Sequence, residues 1–481
     1  MTLQELYVHA KYISPELFLI FSGFCVVLCG KSFRNQQKIL GIATVMSFVV
    51  AMIILGFCAF TYPDKELFYG MVRIDPFSLT LRFLIFITMI LVGLLSMGDE
   101  FNDKKEFPEY FALLLFNGVG LSFLVMANNL LLIYLSLELV SLTTYILVSV
   151  SKRTFLAGEA SLKYFLFGAL STAIFLFGIS MVYGLTGTLD LGVMSVNVAR
   201  GGIDAGVMYV ALVFLLVGFG FKIAMVPFHM WAPDAYQGAS TPITAFMSVA
   251  PKIAAFGVFL RIFYSGIGDF GVNWHDLIGV LAVITMTVGN ILAISQNNIK
   301  RMLAYSSIAQ AGYILIGFAV PTLLGKEAVL MYLLVYIFMN IGAFTIAIML
   351  IRSLKSEQIS DFRGLAKIVP GTAFAFAVFL LSLAGIPPLA GFLGKFYVFS
   401  AAIESHMIYL ALAGIINSVI GLYYYVRVIK YMYVDTARRD VTIVTHPALT
   451  TAVIISLVGT LIIGIYPTPF IKIITFAVSI F

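Results

Sequence analysis

Lys222 and Lys252 each fall about midway along an apolar stretch long enough to cross a bilayer, within GFGFKIAMVPFHMWAPDAYQGASTPITAFMSVAPK, and a proline interrupts each stretch close to the lysine. A lysine at a helix centre in a membrane costs roughly 2.5 to 3.5 kcal/mol, so two of them imply a polar interior and a task performed there. Burial disfavours the charged form of an amine, and an amine that can shed and regain its proton is a proton relay. Snorkelling, in which the stem lies in lipid and the head reaches the interface, is the plainer alternative, but these positions are too deep for it. Glu138, in LIYLSLELVSLTTYIL, is the one acid read as deep in a span. A lone carboxylate there either protonates or finds a cation, and Lys222 is the natural partner. A structural ion pair, or a neutral glutamic acid bonded to a carbonyl, is the competing reading.

Several further residues invite the same question. Lys395 follows Pro387 and Pro388 by about two helical turns, beside a segment that the prolines should unwind, though it lies near enough to one end of its span to snorkel. Lys163, in EASLKYFLFGAL, is about six residues from the end of its span, where transport and surface readings balance. His229, in VPFHMW, can pass protons between water and Lys222, or can bond a carbonyl left free by Pro227. Arg82 and Arg427 lie one to two turns from span ends, and pairing with Asp75 or snorkelling explains them without transport. Tyr305, Ser306 and Ser307 can hold a water wire, although hydroxyls in membrane helices are often only contacts between helices.

These side chains need elements to hold them, and composition says which. Of 481 residues, 61% are hydrophobic and 11% charged, against roughly 25% charged in soluble domains. The chain is an all-α integral membrane protein. Apolar runs of about 20 residues place fourteen helices near 14 to 30, 38 to 60, 74 to 98, 109 to 127, 129 to 150, 158 to 184, 206 to 232, 240 to 264, 273 to 295, 301 to 320, 326 to 352, 371 to 400, 405 to 430 and 448 to 471. Sixteen Lys and Arg residues then fall in loops on the side opposite the N-terminus, Lys31, Arg34, Lys104, Lys105, Lys152, Arg153, Lys300, Arg438 and Arg439 among them. Seven, including Arg261 and Lys326, fall on the N-terminal side. Positive loops stay inside, so both termini are expected on the outer, periplasmic side.

Proline-broken helices recur at the seventh, eighth and twelfth spans. If spans four to eight form one unit and nine to thirteen another, the seventh and twelfth share a slot, and Lys222 corresponds to Lys395 as Lys252 does to Arg427. Five is odd, so the second unit enters the membrane inverted, a transporter design in which freed backbone groups line a cavity near the midplane. The expected organisation is 1 to 108 as three N-terminal helices, 109 to 264 and 265 to 433 as the two five-helix repeats, and 434 to 481 as a last helix.

Other chemistries find little support. Cys25, Cys29 and Cys58 lack paired metal spacing, no CxxC or facing histidine pair offers a redox centre, and Gly218 and Gly220 lie inside a membrane helix, not in a phosphate loop. No metal or cofactor is expected on this chain. The net charge of +6 follows from the basic loops, so no nucleic-acid partner is needed. The N-terminus lacks a secretory signal pattern, and the first apolar run is expected to be retained.

The segments VPFHMWAPDAYQGASTPITAF, LSLAGIPPLAGFLGKFYVF, NNIKRMLAYSSIAQAGYILIGF and GLYYYVRVIKYMY together closely resemble the antiporter-like subunits of respiratory complex I, in particular the subunit N branch of bacterial NADH:quinone oxidoreductase. The resemblance covers roughly residues 70 to 470. It implies a channel in which Glu138 pairs with Lys222, Lys252 is the central relay, and Lys395 passes the proton outward. It also implies other membrane-arm subunits and lipid as partners, with NADH, FMN, iron-sulfur clusters and quinone handled elsewhere in the complex, in a bacterial inner membrane. An Mrp-type cation/proton antiporter is the alternative, disfavoured because sodium wants several oxygen ligands and Glu138 stands alone. A scaffold with a vestigial channel is the third.

Overall fold

A computed structural model describes residues 3–30, 32, 37–61, 64–98, 107–150, 155–268, 273–436 and 445–481. The loop residues Lys31, Arg34, Lys104, Lys105, Lys152, Arg153, Arg438 and Arg439 lie outside the described residues.

The chain is helical almost throughout. It opens with α1 (Leu3–Tyr12), α2 (Ser14–Gly30), α3 (Gln37–Thr61), α4 (Pro76–Gly98), α5 (Phe107–Met126) and α6 (Leu130–Val150). There follow α7 (Phe155–Thr186), α8 (Leu191–Ala199), α9 (Ala205–Ile223), α10 (Trp231–Gly238) and α11 (Thr241–Leu260), the last continuing as a π-helical segment, Arg261–Ile267. The second half holds α12 (Trp274–Ile294), α13 (Ile299–Ala319), α14 (Leu323–Leu354), α15 (Leu365–Ile368), α16 (Pro370–Ala384), α17 (Ala390–Glu404), α18 (Ile408–Tyr433), α19 (Pro447–Ile465) and α20 (Thr468–Val478).

Among the described residues, twelve helices are long and apolar enough to cross a membrane. Length alone therefore does not reach the expected fourteen. The expected span 14 to 30 is the 17-residue α2, and 371 to 400 is split into α16 and α17, 15 residues each. The last expected span, 448 to 471, also divides: α19 ends at Ile465 and the chain turns into α20, which packs back on α4 and α14. A short antiparallel hairpin, β1 (Lys65–Leu67) with β2 (Val72–Ile74), is an element that hydrophobic runs did not announce. Val72 bridges to Ala127, and Asn129 to Asp190, which pins the short connection between α5 and α6.

Burial grades from centre to rim. Every residue of α11 is buried, and α13 and α14 nearly so, whereas α3, α7, α18 and α19 turn large apolar side chains outward, as helices facing lipid do. Two breaks interrupt this packing, between α9 and α10 and between α16 and α17. Both contain a cis proline bond, Val226-Pro227 and Pro387-Pro388. Each upstream helix ends on a left-handed residue, Ala224 or Gly385, whose N–H turns back to the last carbonyls.

Candidate functional site: a chain of buried lysines

The breaks bring lysines into the interior. Lys222 occupies the last turn of α9, is 6% exposed, and its Nζ donates to Ser141 Oγ on α6 at 2.7 Å. Ser141 in turn donates to Leu137 O at 2.5 Å, which leaves its oxygen lone pairs toward the ammonium. The rings of Phe221 and Tyr164 flank Nζ at 5.8 and 6.0 Å. Glu138, one turn before Ser141, is only partly buried and forms no ion pair with Lys222. The expected direct contact is therefore replaced by one to the serine; three residues of helix put Glu138 and Ser141 on the same side, and the shorter side chain takes the bond.

Lys252, just after Pro251 in α11, is 1% exposed, and its Nζ donates to Ser307 O at 2.6 Å and Ser307 Oγ at 2.7 Å. Tyr336 OH on α14 donates to the same Oγ at 2.9 Å. Lys395, on α17, is 5% exposed; its Nζ donates to Ala384 O at 2.7 Å, the terminal carbonyl of α16 opened by the break, and stands 4.5 Å from the centre of the Tyr313 ring. It lies inside, with no snorkelling. A crevice of about 430 Å³, lined by Lys395, Ser418 and apolar residues of α17 and α18, opens from it toward the flank.

The remaining candidates separate. His229 is 7% exposed within the first break, and its Nδ1 has no hydrogen-bond partner among the described residues. Trp231 Nε1 donates to Phe221 O at 3.0 Å. Lys163 lies at the opening of α7 with its side chain 40% exposed, in ion pairs with Glu159 at 2.7 Å and Asp234 at 2.8 Å. Asp234 also accepts from Arg301 at 2.8 Å, which makes a clamp across α7, α10 and α13. Lys163 belongs to that clamp and not to the buried row.

Several expectations are corrected. Arg82 pairs with Glu16 of α2, donating to both carboxylate oxygens from Nη2 at 2.6 and 2.7 Å, and not with Asp75. Ser122 Oγ donates to the same Glu16 carboxylate, and all three side chains are buried, so Glu138 is not the one acid in the membrane region. Asp75 instead takes two bonds from Arg261, at 2.8 and 3.0 Å. Arg261, Lys300 and Lys326, assigned to loops, are buried. Lys300 Nζ donates to Gln237 O and Ala239 O at the end of α10, and Lys326 Nζ lies 4.2 Å from the Tyr264 ring centre. Removing those three leaves the basic loop asymmetry standing. Arg427, the expected counterpart of Lys252, donates to Ile294 O and Gln296 O at the end of α12, outside the row of lysines.

Sequence reasoning missed Ser141 and Tyr336, which join Lys222 and Lys252 to their surroundings, and the buried pair Gln310 and Tyr425. Only Ser141 carried a signal, its spacing from Glu138. Tyr425 sits in a run of three tyrosines whose inward members, Tyr424 and Tyr425, cannot be told by type.

The family described as NADH:quinone oxidoreductase/Mrp antiporter, transmembrane, matches residues 127–421. NADH-quinone oxidoreductase subunit N of Anaeromyxobacter sp. (strain Fw109-5) is 37% identical over 89% of this chain and 88% of its own. Subunit N of Desulforamulus reducens is 38% identical over 98% of both. Among solved structures, a chain of respiratory complex I from Thermus thermophilus with bound aureothin superimposes with a TM-score of 0.81 at 30% identity, over 95% of this chain and 98% of that one. A chain of the Mrp complex from Dietzia sp. DQ12-45-1b gives 0.86 at 20% identity over 100% and 97%, a likeness of fold.

Proposed function

The chain belongs to the NADH:quinone oxidoreductase/Mrp antiporter transmembrane family, in its subunit N branch, and from that membership we propose that it moves protons outward across a bacterial inner membrane while quinone reduction proceeds elsewhere in the complex. One observation carries the reading. Three ammonium groups stand in the interior, and each is held by neutral oxygens: a serine hydroxyl for Lys222, a hydroxyl and a carbonyl for Lys252, a carbonyl for Lys395. A structural cation in low dielectric takes a carboxylate partner, because an unpaired charge there is costly. An amine among neutral acceptors keeps the option of losing its proton.

In this reading the units 109 to 264 and 265 to 433 are the two inverted repeats, with both termini outside. Glu138 acts on Lys222 through space and through Ser141. Its approach holds the proton on Lys222, and its withdrawal releases it toward Lys252 and then Lys395. His229, with a nitrogen unspent, supplies Lys222 from the cytoplasm. Glu138 shares its face of α6 with Leu135, Leu139 and Leu142, all exposed. A carboxylate does not face hydrocarbon, so this stripe is where a neighbouring membrane-arm subunit lies.

The test uses the assembled complex in inverted membrane vesicles. Glu138→Gln, Lys222→Met and Lys252→Met should each remove most NADH-driven acidification while native gels show the complex intact. Full pumping in all three would end the proposal. Sodium-for-proton exchange by the purified chain in liposomes would put the antiporter reading in its place.

A further inference from the structure

Between Lys252 and Lys395 the interior is bridged by side chains that neither lysine touches. Gln310, on α13 one turn beyond Ser306 and Ser307, is buried and uses every polar atom it has. Its Nε2 donates to Leu383 O at 3.0 Å and to Tyr425 OH at 3.1 Å, and its Oε1 accepts from Tyr332 OH. Tyr425 OH in turn meets Ser306 Oγ at 2.5 Å.

Chemistry fixes the direction of the Gln310 bonds. A backbone carbonyl only accepts, so the NH₂ group of Gln310 must face Leu383, and the oxygen must face Tyr332. The bond between Tyr425 and Ser306 can be donated by either hydroxyl. The bonded groups reach from the α16 end to Ser306, the chain neighbour of the Ser307 that Lys252 holds. Lys395 holds Ala384 O, the carbonyl next to the one Gln310 holds, so both side chains grip the same frayed helix end.

A hydroxyl relays a proton because one oxygen both accepts and donates. A carboxamide divides the roles: its oxygen only accepts and its nitrogen only donates. A proton pressed onto Oε1 has no ready exit through Nε2. Resting on the proton-transfer reading above, we infer that Gln310 is the gate of this path, an amide plug that insulates Lys252 from Lys395 while it spans Tyr425 and Leu383, and opens when it lets them go. Motion of the α16 end, which Lys395 also holds, is the natural trigger. The plug keeps protons from slipping back through the row between strokes.

The experiment replaces the plug with a group of the same shape that can relay. Gln310→Glu is introduced into the whole complex in inverted vesicles, and passive proton conductance is followed after an acid pulse with no NADH present. Conductance should rise severalfold, and Lys395→Met in the same chain should return it to the wild-type value. Gln310→Met, which fills the space without relaying, should not raise it. An assembled Gln310→Glu complex with unchanged conductance overturns the gate, and so does a rise that survives Lys395→Met, since that leak would come from disturbed packing. Should Gln310→Glu fail to assemble, Tyr332→Phe frees Oε1 and loosens the plug. It should leak in the same Lys395-dependent way, and a tight vesicle there also overturns the gate. Failure of the underlying reading looks different: Lys252→Met and Lys395→Met alone would still pump.

Discussion

At the scale of single residues five of the buried cations fall into two chemical groups. The arginines Arg82 and Arg261 carry carboxylates, Glu16 and Asp75, in two-point contacts. The lysines Lys222, Lys252 and Lys395 carry only hydroxyls and carbonyls. A guanidinium is permanently charged and suits a planar bidentate clasp, whereas an ammonium is the buried cation that can be discharged. The arginines are tied to carboxylates, and on the proposal above the lysines are the cations that work. Asp75, at the loop end where α4 begins, permits a prediction with a sign. Burial raises its carboxyl, but the Arg261 charge and hydrogen bonds, with the Ser78 N–H, outweigh that and hold it below the usual 3.8. A depressed carboxyl contributes stability that is complete above the unfolded value and lost as pH falls through the folded one. Melting temperatures of the solubilised complex should therefore show no pH dependence from this pair between pH 5 and 8, where its stabilisation is complete, and a loss only below pH 3.8. Asp75→Asn should lower the melting temperature at pH 7 and abolish that acid step.

At the scale of elements, the working parts are the two breaks. The second depends on two glycines. Gly385 has φ +90°, and a Cβ there would stand 2.8 Å from the Lys395 side chain, so the turn and the lysine both require its absence. Gly391, in the first turn of α17, packs so closely on α16 that a Cβ would stand 1.8 Å from Ser382 O. Gly391→Ala must push the two half-helices apart, at a cost of about 1–3 kcal/mol or more for overpacking. Gly371→Ala, at the other end of α16, meets nothing within 4 Å. Native gels should find the first variant poorly assembled and the second normal; equal assembly would mean that the break tolerates opening.

At the scale of the whole molecule, Asp234 accepts from Lys163 and Arg301, a bond set that ties α7 and α10 to α13. Further out, the proposal above makes the exposed stripe of α6 the face that meets a neighbouring subunit. Leu142 is 50% exposed there. A cysteine at that position should react with a lipid-soluble maleimide in the isolated chain and be protected in the assembled complex. Equal labelling in both would leave the α6 face to lipid and require another partner for Glu138.

Hydropathy, proline and lysine were enough to reach a helical membrane protein with broken helices in matching slots, because insertion in lipid penalises a misplaced charge heavily enough to be visible in one dimension. Lys222, Lys252 and Lys395 were legible for that reason. Their partners were not. Ser141, Ser307, Ala384 and Gln310 are ordinary residues of apolar helices, given meaning only by which helix faces which, and pattern alone does not choose among such facings. The same limit misassigned Arg82 to Asp75, the nearer acid along the chain, when Glu16 was the nearer one in space. The sequence by itself determined where charge had to be hidden; packing decided what each hidden charge would touch, because contacts between helices depend on rotation about their axes, and a helix of mixed small and apolar residues leaves that rotation open.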